Sequence, residues 1–148
     1  MKQFSRFLVV SLFSLLCLPI TGFIVKRPVN VIKKVYNDKS IVKIYEPKDL
    51  NKKDAKALVF YTGANSLIPG DIYSNFISSL NNLNFTVSVV TNNNEVTKDF
   101  LEEIKEEYQE IVAISHSSGV VNAVATLNEE KSIKRAIFLD PVDNSKLV

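Results

Sequence analysis

The chain has 148 residues, of which 46% are hydrophobic and 23% charged, a composition typical of one globular domain with a buried core. Its net charge of +2 is spread along the sequence, so nothing favours nucleic acid as a partner. The only cysteine, Cys17, lies in an apolar leader, so the rest of the chain offers no disulfide, cysteine metal site or thiol nucleophile. We expect neither a metal nor another cofactor.

The N-terminus has the pattern of a signal peptide. Basic residues precede the apolar run 7–20, and Gly22 supplies a small residue where a signal peptidase would cut. A signal anchor is the alternative, because the run 7–25 approaches the ~20 apolar residues that span a bilayer. Residues 1–22 therefore predict the secretory pathway, with a product that is either secreted or held in the membrane of the endoplasmic reticulum.

Residues 23–40 are predicted to link this leader to a domain at residues 41–148. The run 23–34 is basic and poor in acids, so a second address, such as a plastid transit segment behind the signal peptide, is an alternative. A few apolar residues within 29–37 are of the kind found in a strand or packed on a core.

In the domain, strands alternate with helices. Short apolar runs have the length of strands, and the segments between them carry apolar residues at helical spacing. The predicted strands are 41–45, 57–61, 85–90, 111–115 and 136–139, and the predicted helices are 71–83, with Asp71 as its N-cap, 96–108 and 118–127. This alternation indicates right-handed crossovers between parallel strands. The fold class is therefore α/β, a three-layer sandwich with a mostly parallel sheet.

The strand that begins at Ile111 runs into the motif Ser115-His116-Ser117-Ser118-Gly119, which differs by one residue from the Gly-x-Ser-x-Gly nucleophile elbow. In that elbow the serine backbone is strained, and small residues are needed two positions before and after it. Gly119 meets this requirement and Ser115 meets it approximately. We expect Ser117 to be a nucleophile, the alternative being a serine that only caps the following helix.

The other candidate groups follow two further strands. In a parallel sheet, functional groups gather beyond the carboxyl ends of the strands, so these ends are expected to lie together. The backbone N–H groups of Ala64 and Ser118 would form an oxyanion hole, and Asp140 or Asp143 would orient a histidine. The alternative for Asp140 is a turn that only ends its strand.

His116 is the only histidine of the chain and is adjacent to Ser117. The elbow turns the side chain of this neighbour away from the nucleophile, so we expect His116 to pack or to form a hydrogen bond beneath the turn. Without a general base a serine hydroxyl is a poor nucleophile. One member of the expected triad is therefore missing from these residues.

Four segments resemble the α/β-hydrolase fold and, within it, the chlorophyllase group with its dienelactone-hydrolase and lipase-like relatives. The group has a strand ending in His-Gly, an amphipathic helix, a Gly-His-Ser-Arg-Gly-Gly elbow and an Asp-Pro-Val-Asp-Gly acid segment. The similar segments here are Leu58 to Gly63, Tyr73 to Leu80, Ser115 to Val120 and Phe138 to Asn144. The resemblance implies hydrolysis of a hydrophobic carboxylic ester, such as that of chlorophyll or a lipid, through an acyl-serine at Ser117.

The chain also departs from this pattern. Thr62 stands where the group has histidine, Ser115 replaces the first glycine, Ser118 replaces arginine and Val120 replaces the second small residue. The resemblance places the catalytic histidine and two further strands beyond the acid segment. We therefore expect either an esterase whose base lies outside these residues or an inactive α/β-hydrolase-like protein that binds a partner. A third alternative is an unrelated secretory or membrane-anchored protein with a generic α/β pattern.

Overall fold

The apolar runs of the sequence form the strands of one sheet, and the amphipathic segments between them form helices. The computed structural model describes residues 7–10, 29–36, 41–50, 55–91, 98–133 and 135–142. Its strands are β1 (Phe7–Val10), β2 (Val29–Val35), β3 (Ile41–Pro47), β4 (Lys56–Tyr61), β5 (Phe85–Thr91), β6 (Glu110–His116) and β7 (Arg135–Leu139). Its helices are α1 (Ser74–Asn82), α2 (Lys98–Glu107) and α3 (Val120–Glu129), and short helical turns lie at Gly63–Ser66, Gly70–Tyr73 and Ser117–Gly119.

The described strands form one sheet in the order β1-β7-β6-β4-β5-β3-β2. Neighbouring strands from β1 to β5 along this order are parallel. β3 is antiparallel to both of its neighbours, β5 and β2. The prediction of a mostly parallel sheet is therefore confirmed, and the apolar residues within 29–37 form an edge strand of it.

Helices cover both faces of the sheet. On β4, Val59 and Tyr61 point to the face that α2 and α3 cover, where Phe100 of α2 is fully buried. Leu58 and Phe60 point to the opposite face and pack with Ile77 of α1. Every residue of the apolar run from Ala57 to Tyr61 is buried, as expected of a central strand that is covered on both sides. The three-layer α/β sandwich is confirmed.

The first helix begins later than the sequence predicts. Asp71 does not cap it, because residues Gly70–Tyr73 form a separate 3₁₀ turn and α1 begins at Ser74. Both carboxylate oxygens of Asp71 instead accept hydrogen bonds from Lys43 Nζ, at 2.7 and 2.8 Å. This contact joins the turn to β3, so a tertiary ion pair takes the place of the predicted cap.

The structure describes only part of the predicted leader. β1 pairs in parallel with β7, from Phe7 beside Ala136 to Val10 beside Leu139, and so covers that edge of the sheet. The assignment of residues 1–22 to a signal peptide or anchor and of residues 23–40 to a linker or transit segment stays a prediction. Cys17 and Asp143 lie outside the described residues. Within the described residues, no helix has the length and apolar character needed to cross a membrane.

Candidate functional site

The three strands that precede the candidate residues are neighbours, in the order β7-β6-β4. The register places His116 of β6 beside Leu139 of β7, so Ser117 and Asp140, the next residues, leave the sheet side by side. The Val142 N–H then donates to the Ser117 carbonyl oxygen at 3.3 Å. The structure therefore brings together the elbow, the segment after β4 and Asp140, as the topology predicts.

Ser117 lies at the sharp turn between β6 and α3 and has a left-handed backbone with φ of 53°. This region is unfavourable for a residue with a side chain, by about 1–3 kcal/mol, and such residues cluster at functional sites. A Cβ atom on Gly119 would lie 2.5 Å from the carbonyl oxygens of both Tyr61 and Thr62. Gly119 is therefore required because the start of α3 packs directly on the end of β4.

Ser115 occupies the position of the first glycine of the elbow motif. Its side chain is fully buried, and within the described residues its hydroxyl has no hydrogen-bond partner. A serine therefore fits this position of the elbow sterically, and its hydroxyl receives no hydrogen bond from the described residues. Ser115 thus matches the glycine of the motif better in size than in polarity.

The segment Thr62–Gly70, here called the oxyanion loop after the oxyanion donor predicted at Ala64, begins with a left-handed turn. Ala64, Asn65 and Ser66 have φ of 50°, 53° and 64°, although none of them is glycine. The Ser66 N–H donates to the Thr62 carbonyl at 3.0 Å, and Thr62 Oγ1 donates to the Ile68 carbonyl at 2.7 Å. The loop is therefore closed on itself in a conformation that local sequence preferences oppose.

Two polar side chains near the start of α3 hold this loop. The Asn65 N–H donates to Ser118 Oγ at 2.9 Å, and Asn122 Nδ2 donates to Ser66 Oγ at 3.0 Å. Ser118 and Asn122 are both buried and lie one helical turn apart, so they present one polar strip to the loop. Asn122 was not predicted from the sequence, and its spacing from Ser118 is the signal that could have found it.

On the other side of the loop, Tyr73 joins the loop to the elbow. The Gly63 N–H donates to Tyr73 Oη at 3.3 Å, and Tyr73 Oη lies 2.8 Å from His116 Nδ1. The expected hydrogen bond of His116 is confirmed, although its partner Tyr73 was not predicted. Burial lowers the pKa of His116, and the nearby charge of Asp140 partly opposes this effect. His116 is therefore predominantly neutral at pH 7.

Exposed apolar side chains lie on the segments that follow β4 and β7. Leu67 of the oxyanion loop is 62% exposed, Ile72 of the following turn is 73% exposed, and Val142 beside the elbow is 42% exposed. These three residues, here called the apolar rim, lie on the segments that carry the candidate groups. Among the described residues, no group of three or more histidine, cysteine or acidic side chains is arranged to hold a metal ion.

Solved structures of low sequence identity share this fold. The Francisella virulence factor BioJ is 18% identical with a TM-score of 0.60, over 78% of this chain and 45% of that one. A fungal esterase from Rhizomucor miehei is 15% identical with a TM-score of 0.57, over 79% of this chain and 46% of that one. The α/β-hydrolase GrgF from Penicillium is 14% identical with a TM-score of 0.57, over 77% of this chain and 46% of that one.

The described residues thus form part of an α/β-hydrolase fold. The chain spans about half the length of these structures, with 45% of the BioJ chain covered. No protein-family model matches the chain, and no curated protein sequence matches it either. The likeness concerns the fold, so the narrower resemblance to chlorophyllases stays a prediction.

Proposed function

We propose that this chain carries the nucleophile and oxyanion hole of a serine carboxylic-ester hydrolase. The observation that supports this most is the left-handed Ser117, with φ of 53°, at a strand-to-helix turn beside the oxyanion loop. In the proposed reaction Ser117 Oγ attacks the ester carbonyl, the alcohol leaves, and water then hydrolyses the acyl-serine. The Ala64 and Ser118 N–H groups would stabilise the oxyanion, at about 3 kcal/mol for each donor.

This mechanism needs a general base that takes the proton of Ser117. His116 is the only histidine in the sequence, and its Nδ1 lies 2.8 Å from Tyr73 Oη. We therefore assign the base to a group outside these 148 residues. Asp140 would hold that base, because the register places it beside Ser117. Asp143 is the alternative acid from the sequence, and it lies outside the described residues.

For the substrate we propose a hydrophobic ester of the kind that chlorophyllase-like enzymes hydrolyse, such as a chlorophyll or lipid ester. The apolar rim of Leu67, Ile72 and Val142 supports this proposal, since a long apolar group could bury these exposed side chains. We also propose a location in the secretory pathway or, through residues 23–40, in a plastid, with membrane association through residues 1–22. A fluorescent protein fused after residue 40 would report that location.

The proposed chemistry can be tested by supplying the base in solution. Imidazole should restore hydrolysis of a p-nitrophenyl ester by the full chain, above the rate of ester with imidazole alone. Ser117→Ala should abolish this increase, whereas Ser115→Ala, which changes the buried serine two residues earlier at the end of β6, should retain it. A rescued rate that is the same in Ser117→Ala would refute Ser117 as the nucleophile.

The second candidate is an inactive α/β-hydrolase-like protein that binds a hydrophobic ligand. The engagement of its only histidine with Tyr73 favours this function, because no second histidine is present in the sequence to act as the base of Ser117. It predicts no rescue by imidazole, together with a rise in Tm on addition of a long-chain ester that is equal in wild type and Ser117→Ala. Saturable imidazole-dependent turnover would exclude it.

A further inference from the structure

Tyr73 contacts both halves of the candidate site. It lies at the end of the 3₁₀ turn Gly70–Tyr73, and its ring packs edge-on against Phe60 of β4 and His116 of the elbow, with centroids 4.9 and 5.6 Å apart. Its hydroxyl lies between the Gly63 N–H, at 3.3 Å, and His116 Nδ1, at 2.8 Å. One side chain therefore joins the oxyanion loop, the elbow and the core.

The chemistry of the Gly63 N–H, the Tyr73 hydroxyl and His116 Nδ1 favours one direction for the hydrogen bonds between them. The Gly63 N–H can only donate, so Tyr73 Oη accepts from it. The hydroxyl hydrogen of Tyr73 then points to His116 Nδ1, which must present a lone pair. In this order the Gly63 amide hydrogen and the Tyr73 hydroxyl hydrogen each have an acceptor, and His116 is the neutral tautomer with its hydrogen on Nε2.

We propose that Tyr73 is a positioning residue that couples the protonation state of His116 to the Gly63 N–H of the oxyanion loop. When Nδ1 takes up a proton it becomes a donor, and the hydrogen of Tyr73 must rotate away from it. The oxygen of Tyr73 then accepts from both Gly63 and His116, and the Gly63 hydrogen bond changes. Gly63 precedes Ala64, so the change occurs next to the proposed oxyanion donor.

Among the described residues, two groups with titratable protons face His116, and both fit this arrangement. Tyr73 approaches from the 3₁₀ turn, and burial raises its pKa, so it keeps its proton at neutral pH. Asp140 approaches from the end of β7, and its charge raises the pKa of His116 against the larger lowering effect of burial. A neutral His116 that accepts from a protonated Tyr73 is the state expected at pH 7 and above.

The meaning of this coupling for catalysis rests on the proposed function, but the coupling itself does not. A relay from His116 to Gly63 requires only the hydrogen bonds of three described residues. Failure of ester hydrolysis with the coupling intact would contradict the proposed function and leave the relay standing. Loss of the coupling with Ser117-dependent hydrolysis intact would contradict the coupling and leave the proposed function standing.

The composition of the chain makes the coupling measurable by NMR. With one histidine and four glycines, a full chain labelled with ¹⁵N at these two residue types gives few signals. We expect His116 to carry its hydrogen on Nε2 when neutral and to titrate below the ordinary histidine pKa. The Gly63 amide signal should shift with the same midpoint.

Tyr73→Phe keeps the ring and removes the hydroxyl. We expect the Gly63 amide to stop following the titration of His116, and the Nδ1 signal to move to that of a nitrogen without a hydrogen bond. Tyr36→Phe is the matched control, because it removes a hydroxyl that donates to Glu103 at 2.8 Å, far from the elbow in sequence. It should leave both signals unchanged.

Three results would overturn the proposal. They are a neutral His116 with its hydrogen on Nδ1, a Gly63 amide that ignores the titration of His116 in wild type, and a Gly63 amide that follows it equally in Tyr73→Phe. His116→Gln is a second variant that tests the same coupling if Tyr73→Phe does not fold. In His116→Gln the Gly63 amide signal should no longer shift over the pH range in which His116 titrates in wild type. A shift that persists in this variant would refute the coupling.

Discussion

The elbow and the oxyanion loop meet at one edge of the sheet, yet they are stabilised differently. In the elbow one residue, Ser117, is left-handed, and Gly119 lets the turn pack on β4. In the loop three consecutive residues without glycine are left-handed, and the side chains of Ser118 and Asn122 hold them from another element. The elbow is thus specified by its own motif, whereas the loop is specified by tertiary hydrogen bonds.

The largest effect is expected where the elbow packs on the sheet. Gly119→Ala would place a methyl group 2.5 Å from two carbonyl oxygens of the backbone, which cannot move without displacing the end of β4. We expect a loss of unfolding free energy of about 3 kcal/mol or more, measured by urea denaturation.

Gly63→Ala is the control in the loop. Its new methyl group would meet the ends of side chains, Ile68 Cδ1 at 3.0 Å and His116 Nδ1 at 3.2 Å, which can shift. We expect a loss of about 1 kcal/mol. Equal losses in the two variants would contradict the view that Gly119 is fixed by backbone contact.

This contrast explains how much of the molecule could be predicted from its sequence. The central strands, the elbow and the position of Asp140 follow from local patterns. Each pattern, such as an apolar run, a small residue or a turn, involves only a few consecutive positions of the sequence. The sheet order of the described strands agrees with the prediction that the three candidate ends are adjacent.

The oxyanion loop could not be predicted in the same way. No glycine marks Ala64, Asn65 or Ser66 as left-handed, because the hydrogen bonds that stabilise them come from residues more than 50 positions away. The identity of the buried side chains of α3 could not be predicted either. Val121 and Val124 supply the apolar spacing that predicts the helix 118–127, yet they are 49% and 41% exposed. The buried side chains of α3 are Asn122, Ala123 and Thr126.

The next largest effect tests the tertiary support of the loop. Asn122→Ala removes the hydrogen bond to Ser66 Oγ inside a buried contact, and we expect a loss of about 2 kcal/mol. Asn128→Ala is the matched control, because Asn128 is exposed on the same helix, and it should change stability by less than about 0.5 kcal/mol. A double-mutant cycle with Ser66→Ala should give a coupling energy of at least about 0.5 kcal/mol, and additive losses would show that the pair does not hold the loop.

A smaller effect of opposite sign is expected from relieving backbone strain. Ala64→Gly removes a left-handed penalty of about 1–3 kcal/mol and adds an entropic cost of about 0.5–1 kcal/mol, so a net gain of about 1 kcal/mol is expected. Ala125→Gly makes the same change on the exposed face of α3 and should cost about 1 kcal/mol. A loss in both variants would mean that the left-handed turn is not strained.

The smallest effect concerns His116, which belongs to the elbow and contacts the loop through Tyr73. Burial lowers its pKa in the folded state, so as the pH falls the unfolded chain takes up this proton first, near the ordinary histidine pKa of about 6.5. The unfolding free energy should therefore decrease as the pH falls from the ordinary histidine pKa to the pKa of His116 in the folded state. The slope should be less than the ~1.4 kcal/mol per pH unit that uptake of one full proton would give. Because the chain has no other histidine, His116→Gln should flatten this part of a urea-unfolding series. A wild-type stability that rises as the pH falls through this range would contradict this prediction and would mean that the charge of Asp140, at the end of β7, outweighs the effect of burial on His116.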